Sequence, residues 1–530
     1  MRQIMRSEVK IAFLVLALGL SLFASGCQRK TGSQGRYFPH RDAPKPPKLT
    51  EEEAVVHIRD DFVVEQGFSS HLPLVIIDAM GETILPSRSW DPQRMAIVPI
   101  PGRRLFERAE MTIIDRGNGE NRLTDAPVLS SQVRIRLAGD PAMENKKGYY
   151  AFTLVDRTGM ESKMSLLGMD SGEEWVLIGS IRDKSLIRNY IAFCLAAEIM
   201  PETPNSRFCE VFFRQGEDFV YQGVFLLTES VLQGVERVKF SLGKDRDKPQ
   251  GFVLLRDRED PGAVMLNTWS SRENIIDGRL SLVYPKDNVS IKAVTHIEES
   301  IDKVEQIIYS EDPKVFIKYP EVIDMDSFVD YYLLNEFLQN YYAGSRSTYM
   351  YRDTRGRIKL GPVWDSDCIL GNNFPEPFDP ENIAMQGAPY YDKLTKDVVF
   401  LDLLDSRFSR LRRGVLRDDV VIRLVDETAA YLRPAQLRDW KRWFKEYSGQ
   451  QDASDPEGIA AWDKIFAFEK EFVKMRYLSI VHSSILGNSM RRMSWKDDLL
   501  DSSFNTIFST ISVIIFFVLY LLAVRIGRHH

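Results

Sequence analysis

Two aspartates, Asp365 and Asp367, close the run Gly361-Pro362-Val363-Trp364-Asp365-Ser366-Asp367. In an extended chain residues i and i+2 project to one side, so both carboxylates could face one cation. Oxygen ligands of this kind suit Mg²⁺, which pairs one or two carboxylates with substrate phosphates. Aspartates at a strand end also serve as turn makers or helix caps. A third carboxylate, Glu229, ends the apolar run Val224-Phe225-Leu226-Leu227-Thr228-Glu229, where a solvated strand end is the alternative. Lys146 and Lys147 lie between two expected strands, where a lysine pair usually sits on an exposed hairpin. Phosphoryl transfer requires a lysine on the phosphates, an acid to hold that lysine and an acid on Mg²⁺. These three segments can supply those roles.

The elements that would position them follow from periodicity. Leu72 to Asp78, Met95 to Ile100 and Met111 to Asp115 read as strands divided by Gly and Pro turns. Val133-Arg134-Ile135-Arg136-Leu137 alternates apolar and basic residues, a strand with one solvated face, and Tyr150 to Val155 is its expected partner. Ser185 to Met200 has helical spacing and stops at Pro201. Phe208 to Phe213 and Val220 to Leu227 form an expected hairpin. The second half reads as mostly helical over 300–310, 326–340, 398–411, 420–432 and 458–485, interrupted by one strand pair, 348–352 and 358–363. A β-rich first part and a helical second part predict a two-lobed α+β body.

Both ends carry apolar segments. Basic residues, an apolar run from Ile11 to Phe23 and the small residues Ala24-Ser25-Gly26 before Cys27 predict a secretory signal over 1–26. Gly26-Cys27 resembles a bacterial lipobox that would lipidate Cys27; an uncleaved signal anchor with a buried cysteine is the alternative. Residues 27–50, basic and proline-bearing, read as a spacer. At the other end Ile507 to Val524 carries no charge and predicts a transmembrane helix over 505–524. Asp497, Asp498 and Asp501 precede it and Arg525 and Arg528 follow, which places the tail in the cytoplasm and the body outside a bacterial cytoplasmic membrane.

Composition closes off other classes. The 530 residues carry 69 Lys+Arg against 75 Asp+Glu, a net charge of -6, so no overall nucleic-acid footprint is present. The 4 cysteines form no CxxC pair and the 7 histidines are scattered, which excludes zinc ribbons, zinc fingers and zincins. P-loop and G-x-S-x-G signatures are missing as well.

Several segments together resemble the spore-coat-protein-H (CotH) kinase family. They are Leu166-Leu167-Gly168-Met169 with Glu174-Trp175-Val176-Leu177, Asp183-Lys184-Ser185-Leu186-Ile187-Arg188-Asn189, and Tyr221-Gln222-Gly223-Val224-Phe225-Leu226-Leu227-Thr228-Glu229. Asn335-Glu336, Asn340, Ser347-Thr348-Tyr349-Met350-Tyr351 and the run ending at Asp367 continue the match, from about Leu72 to Arg476. The resemblance implies a divergent, two-lobed protein-kinase-like fold, with an N-terminal β-rich region over 51–130 and the family domain over 131–490. It implies Mg²⁺ (or Mn²⁺) and ATP as cofactors and exported or envelope proteins as substrates. Carried over by position, Lys147 or Lys146 would touch phosphates and Glu229 would hold the lysine. Asp365 would bind metal, with Asp367 as a second acid in the metal or catalytic role. Asn340 and Ser347 would face the cofactor; Arg188 could bind an anion or pair with Asp183.

Two departures stand against activity. Many relatives carry Arg-Gly-Asn/Ser-Ser where this chain has Ala138-Gly139-Asp140-Pro141, and Pro141 removes a backbone N–H. Many also carry Asp where this chain has Tyr342, and a tyrosine cannot do a carboxylate's work on a hydroxyl nucleophile. Ser347 replaces an expected Asn. Two readings follow: a membrane-tethered, extracytoplasmic atypical kinase, or a pseudokinase scaffold in envelope, coat or exopolysaccharide assembly. Cys194 and Cys209 read as core thiols, with a disulfide between them the alternative. Cys368 is either functional or packed, and Trp440 and Trp443 form either a docking face or core anchors.

Overall fold

The computed structural model describes residues 38–482, apart from 92, 94–95, 139–146, 232–244, 261, 287, 353–355, 373–378 and 449–456. The predicted signal, Cys27, Lys146, most of the 138–141 loop and the predicted membrane helix lie outside the described residues. Among those described, no helix is long and apolar enough to cross a membrane.

The molecule is mixed α+β. Its first part is a closed barrel of seven strands: β1 (Leu74–Asp78), β4 (Glu107–Ile114), β5 (Leu129–Ala138), β6 (Tyr149–Val155), β7 (Glu174–Ile178), β8 (Ser206–Gln215) and β9 (Asp218–Glu229), after a small pair β2 (Arg88–Asp91) and β3 (Ala96–Pro99). The order around the barrel is β1-β4-β5-β6-β7-β9-β8, closed by a parallel β1–β8 pairing. Alternation fills its interior: Val75 and Ile77, Met111 and Ile113, Val133 and Ile135, Phe152 and Leu154 all point inward. Arg134 and Arg136 take the other face of β5, as the sequence pattern requires. The expected division at residue 130 falls inside this barrel, because β4 and β5 pair across it.

The long helices among the described residues are α1 (Arg188–Ile199), between β7 and β8, and, after the barrel, α2 (Ile291–Ile308), α3 (Met325–Leu338), α4 (Val398–Leu411), α5 (Asp418–Ser448) and α6 (Glu457–His482). Side-chain caps start several of them. Ser290 accepts from Ala293 N before α2, Asp324 from Ser327 N before α3, and Asp397 from Val399 N before α4. On α2 the buried Ala293, Ile297, Ile301, Val304 and Ile308 repeat every three or four residues, which fixes the face turned inward. α3 ends where Gln339 turns to φ 55.

The second half is less helical than the sequence suggests. A five-stranded antiparallel sheet runs through it in the order β11 (Val264–Met265), β12 (Arg279–Tyr284), β10 (Phe252–Asp257), β13 (Thr348–Arg352) and β14 (Ile358–Leu360). The expected hairpin 348–363 is the edge of this sheet, and β10 pairs with β13 from Phe252↔Arg352 to Arg256↔Thr348.

The predicted spacer is also more than a spacer at its C-terminal end. Phe38 and His40 are buried, Tyr190 Oη lies 2.7 Å from His40 Nδ1, and Arg41 Nε donates to Glu427 Oε2 on α5 at 2.7 Å. Residues 38–50 therefore lie docked as a strap on the body. Cys194 and Cys209 are buried free thiols rather than a disulfide, and Trp440 and Trp443 are core anchors.

Candidate active site

The acid pair sits where the two sheets meet. The chain leaves β14, turns, and places Asp365 at φ 52, so the segment is not the extended strand end that the i, i+2 argument assumed. Each carboxylate is instead held by hydroxyl donors from other elements. Tyr149 Oη on β6 donates to Asp365 Oδ1 at 2.5 Å, and Ser180 Oγ beyond β7 donates to Asp367 Oδ2 at 2.7 Å. Between them Ser366 N donates to Asn189 Oδ1 at 2.7 Å, which pins the turn to α1. The barrel thus supplies the donors and the second sheet supplies the acids.

Ser347, at φ 47 just before β13, joins a further carboxylate to the group. Its Oγ lies 3.2 Å from Asp365 Oδ2 and 3.3 Å from Asp257 Oδ2 at the end of β10, and its backbone N–H also donates to Asp257. The one hydroxyl hydrogen serves one carboxylate at a time, and Asp257 has the Ser347 N–H as its other donor. Burial, and then the like charge of Asp367, push Asp365 up to about 7; burial also raises Asp367. The same burial, with both aspartates near, raises Tyr149.

This donor set fits a hard divalent cation completed by water or phosphate oxygens. Among the described residues no three His, Cys, Asp or Glu side chains already converge as a metal cage. Asp365 and Asp367, with the Ser347 hydroxyl, are the groups that would hold Mg²⁺ or Mn²⁺.

The lysine is arranged differently from the expectation. Lys147 is buried, not on an exposed hairpin, and its partner is Asp439 on α5 rather than Glu229. Lys147 Nζ donates to Asp439 Oδ2 at 2.5 Å, Val224 N donates to the same oxygen at 2.7 Å, and Tyr447 Oη donates to Oδ1 at 2.9 Å. Burial pulls Lys147 down and Asp439 draws it back up. Gly223, at φ 107, makes room for this arrangement: a Cβ there would stand 2.3 Å from Asp439 Oδ2. A cavity of about 20 Å³ beside Lys147 reaches Ser180, the donor to Asp367, and Asn189, which holds Ser366 N.

Glu229 is a buried structural acid rather than a solvated strand end. Its carboxylate accepts from Asn205 N at 2.7 Å, Asn205 Nδ2 at 3.0 Å and Asp170 N at 2.8 Å, tying β9 to neighbouring loops. Arg188 is paired with Asp183 at 2.7 Å and Glu469 at 2.9 Å, and its Nε donates to Ile369 O. Asn340 is turned into its own loop: Nδ2 donates to Asn335 Oδ1 at 3.0 Å and Oδ1 accepts from Tyr342 N at 3.2 Å. Tyr342 itself is 44% exposed.

Sequence reasoning missed Asp439, Asp257, Tyr149 and Ser180. Asp439 is 292 positions from Lys147 and sits among the charged residues of a long helix, so only the fold reveals it. Tyr149 carried a signal that went unused, since it stands two residues after the lysine being weighed.

With this geometry in view, the family assignment has a structural context. A protein-family model described as CotH kinase protein matches residues 135–479, well over half of the chain and every site residue above. The chain belongs to the CotH kinase protein family. No curated protein matches it.

Proposed function

We propose that this protein is a membrane-tethered, extracytoplasmic CotH-family binding module. In this reading it takes a divalent cation and a nucleotide at Asp365 and Asp367 but has lost efficient phosphotransfer. The supporting observation is Tyr342: it stands where the family resemblance places an Asp, lies exposed, and brings no carboxylate to a hydroxyl nucleophile. A second feature agrees. Lys147 has no side-chain exposure and is spent on Asp439, so phosphates would reach it only after the cleft loosens. The body would serve as a scaffold for an exported or envelope protein, at the outer side of the cytoplasmic membrane if 1–26 and 505–524 act as their sequences predict.

An active kinase acting on such a protein is the second reading. It is favoured by Asp257, a carboxylate already in contact with Ser347 and therefore present in the same group.

One experiment separates them. The full chain is melted with and without ATP and Mg²⁺ or Mn²⁺, and transfer of γ-phosphate to itself and to envelope proteins is followed in parallel. Ligand at a hundredfold excess over Kd adds about 2.7 kcal/mol of stability. The proposal expects a cation-dependent shift, lost in Asp365→Asn, without transfer. Transfer that Asp365→Asn abolishes supports the kinase; no shift at millimolar ATP removes both.

A further inference from the structure

Helix α6 packs behind the loop that follows the acid pair and behind the end of α3. Phe468 and Phe472 press on the loop after the acid pair so closely that a Cβ at Gly371 would stand 2.8 Å from each ring. Arg476, fully buried, donates to Glu336 O at 2.6 Å and to Pro380 O and Asn382 O at 2.8 and 2.7 Å. Glu336 lies on the last turn of α3, four residues before Asn340. Glu469 enters deepest: it has no exposure and pairs with Arg188 Nη1 at 2.9 Å.

Arg188 is the connection to the acids. Its Nη1 donates to Asp183 Oδ1 at 2.7 Å and Ser185 Oγ at 3.0 Å and lies 2.9 Å from Glu469 Oε1, while its Nε donates to Ile369 O at 2.9 Å, two residues beyond Asp367. Asp183 Oδ1, Ser185 Oγ and Ile369 O hold the guanidinium by hydrogen bonds, and Glu469, whose oxygens make none, adds a second buried counter-charge 2.9 Å from Nη1. The geometry points to Glu469 as a positioning residue for the cation-binding turn: through Arg188 and Ile369 O it sets where Asp365 and Asp367 stand. Nothing in the family's phosphotransfer chemistry requires an acid at this place, and its effect on binding rests on the cation site proposed above.

Two readouts on the full chain test it. The first is Mn²⁺ affinity in Glu469→Gln, which keeps the shape and removes the charge. The second needs no cation: the alkylation rate of Cys368, the partly exposed thiol next to Asp367, followed by peptide mass. The expected result for Glu469→Gln is Mn²⁺ affinity lower by about fivefold and Cys368 alkylated about fivefold faster, with Tm unchanged. Asp463→Asn, at the surface of the same helix, should move neither. Unchanged Cys368 reactivity in Glu469→Gln overturns the inference, and so does an affinity loss that Asp463→Asn reproduces. If Glu469→Gln does not fold, Glu469→Asp, one methylene shorter, must speed Cys368 alkylation; a wild-type rate there overturns the inference equally. Should the wild-type chain bind no Mn²⁺, the cation site fails while the Cys368 comparison still decides the role of Glu469.

Discussion

Two groups of charges lie a few residues apart in space and could hardly be treated more differently. Around Asp439 the balance is complete: one lysine, one carboxylate, and donors from Val224 N and Tyr447 Oη. Around Asp365 and Asp367 two like charges share a half-buried turn with hydroxyl and thiol donors, and a third acid, Asp257, approaches through Ser347. Folding alone satisfies the first group, so it behaves as a structural joint between barrel and α5. In the second, burial and like charge outweigh Arg182 and the hydroxyl donors, so both carboxyls are raised. The lysine that resemblance assigns to phosphates is thus part of the joint, and the ligand-hungry half of the site is the acid turn.

The largest effect expected from breaking this contrast is at the joint. Asp439→Ala leaves a buried ammonium without its counter-ion and should cost about 3–5 kcal/mol in denaturant unfolding. Lys147→Met combined with Asp439→Leu should recover most of that loss, because both charges leave together. Gly223→Ala comes next: its Cβ has no room beside Asp439 and φ 107 is unfavourable for alanine, so about 2 kcal/mol should be lost. Asp365→Asn should act in the opposite direction on the cation-free protein. Removing one of two facing carboxylates leaves Tm equal or higher while erasing any gain from Mg²⁺ and ATP; a clear fall in cation-free Tm would instead make Asp365 part of a joint like Asp439.

The smallest effect per step is the response to pH. Burial raises Glu469 to about 7, above its ordinary carboxylate value, with Arg188 opposing. A raised acid adds its stability fully at low pH and loses it as pH climbs through the folded value. Between about pH 5 and 7 the stability of the cation-free chain should therefore decline, by at most about 1.4 kcal/mol per pH unit for each such proton, with Asp365 adding a second. Glu469→Gln should flatten that slope, and an equally steep slope in the variant would assign it to other groups.

How much of this was legible in the sequence depends on distance along the chain. The barrel strands β1, β4, β5, β6, β8 and β9 and the helix 398–411 follow from period and turn residues that act locally, whereas β7 (Glu174–Ile178) was not read as a strand. β10 and β12 escaped because Phe252–Asp257 and Arg279–Tyr284 are short and flanked by charged loops, so neither stands out from its surroundings. Asp365 was readable from its motif, although its left-handed turn was not. The partners of Lys147 and Glu229 were out of reach: each is chosen by which distant backbone or carboxylate packs beside it. A resemblance transfers positions, not neighbours, and at Glu229 the neighbours are Asn205 and Asp170.

The strap over residues 38–50 has a mechanical consequence. It leaves the described body against α5 through Arg41 and Glu427, and α6 is stapled to the same helix by Lys470–Asp426 and Arg433–Asp463. Tension applied to the two ends of the body would therefore enter through one helix and load its side-chain contacts in shear, along their length. By way of α6 it would also reach Arg188 and the loop at Gly371, behind the acid turn.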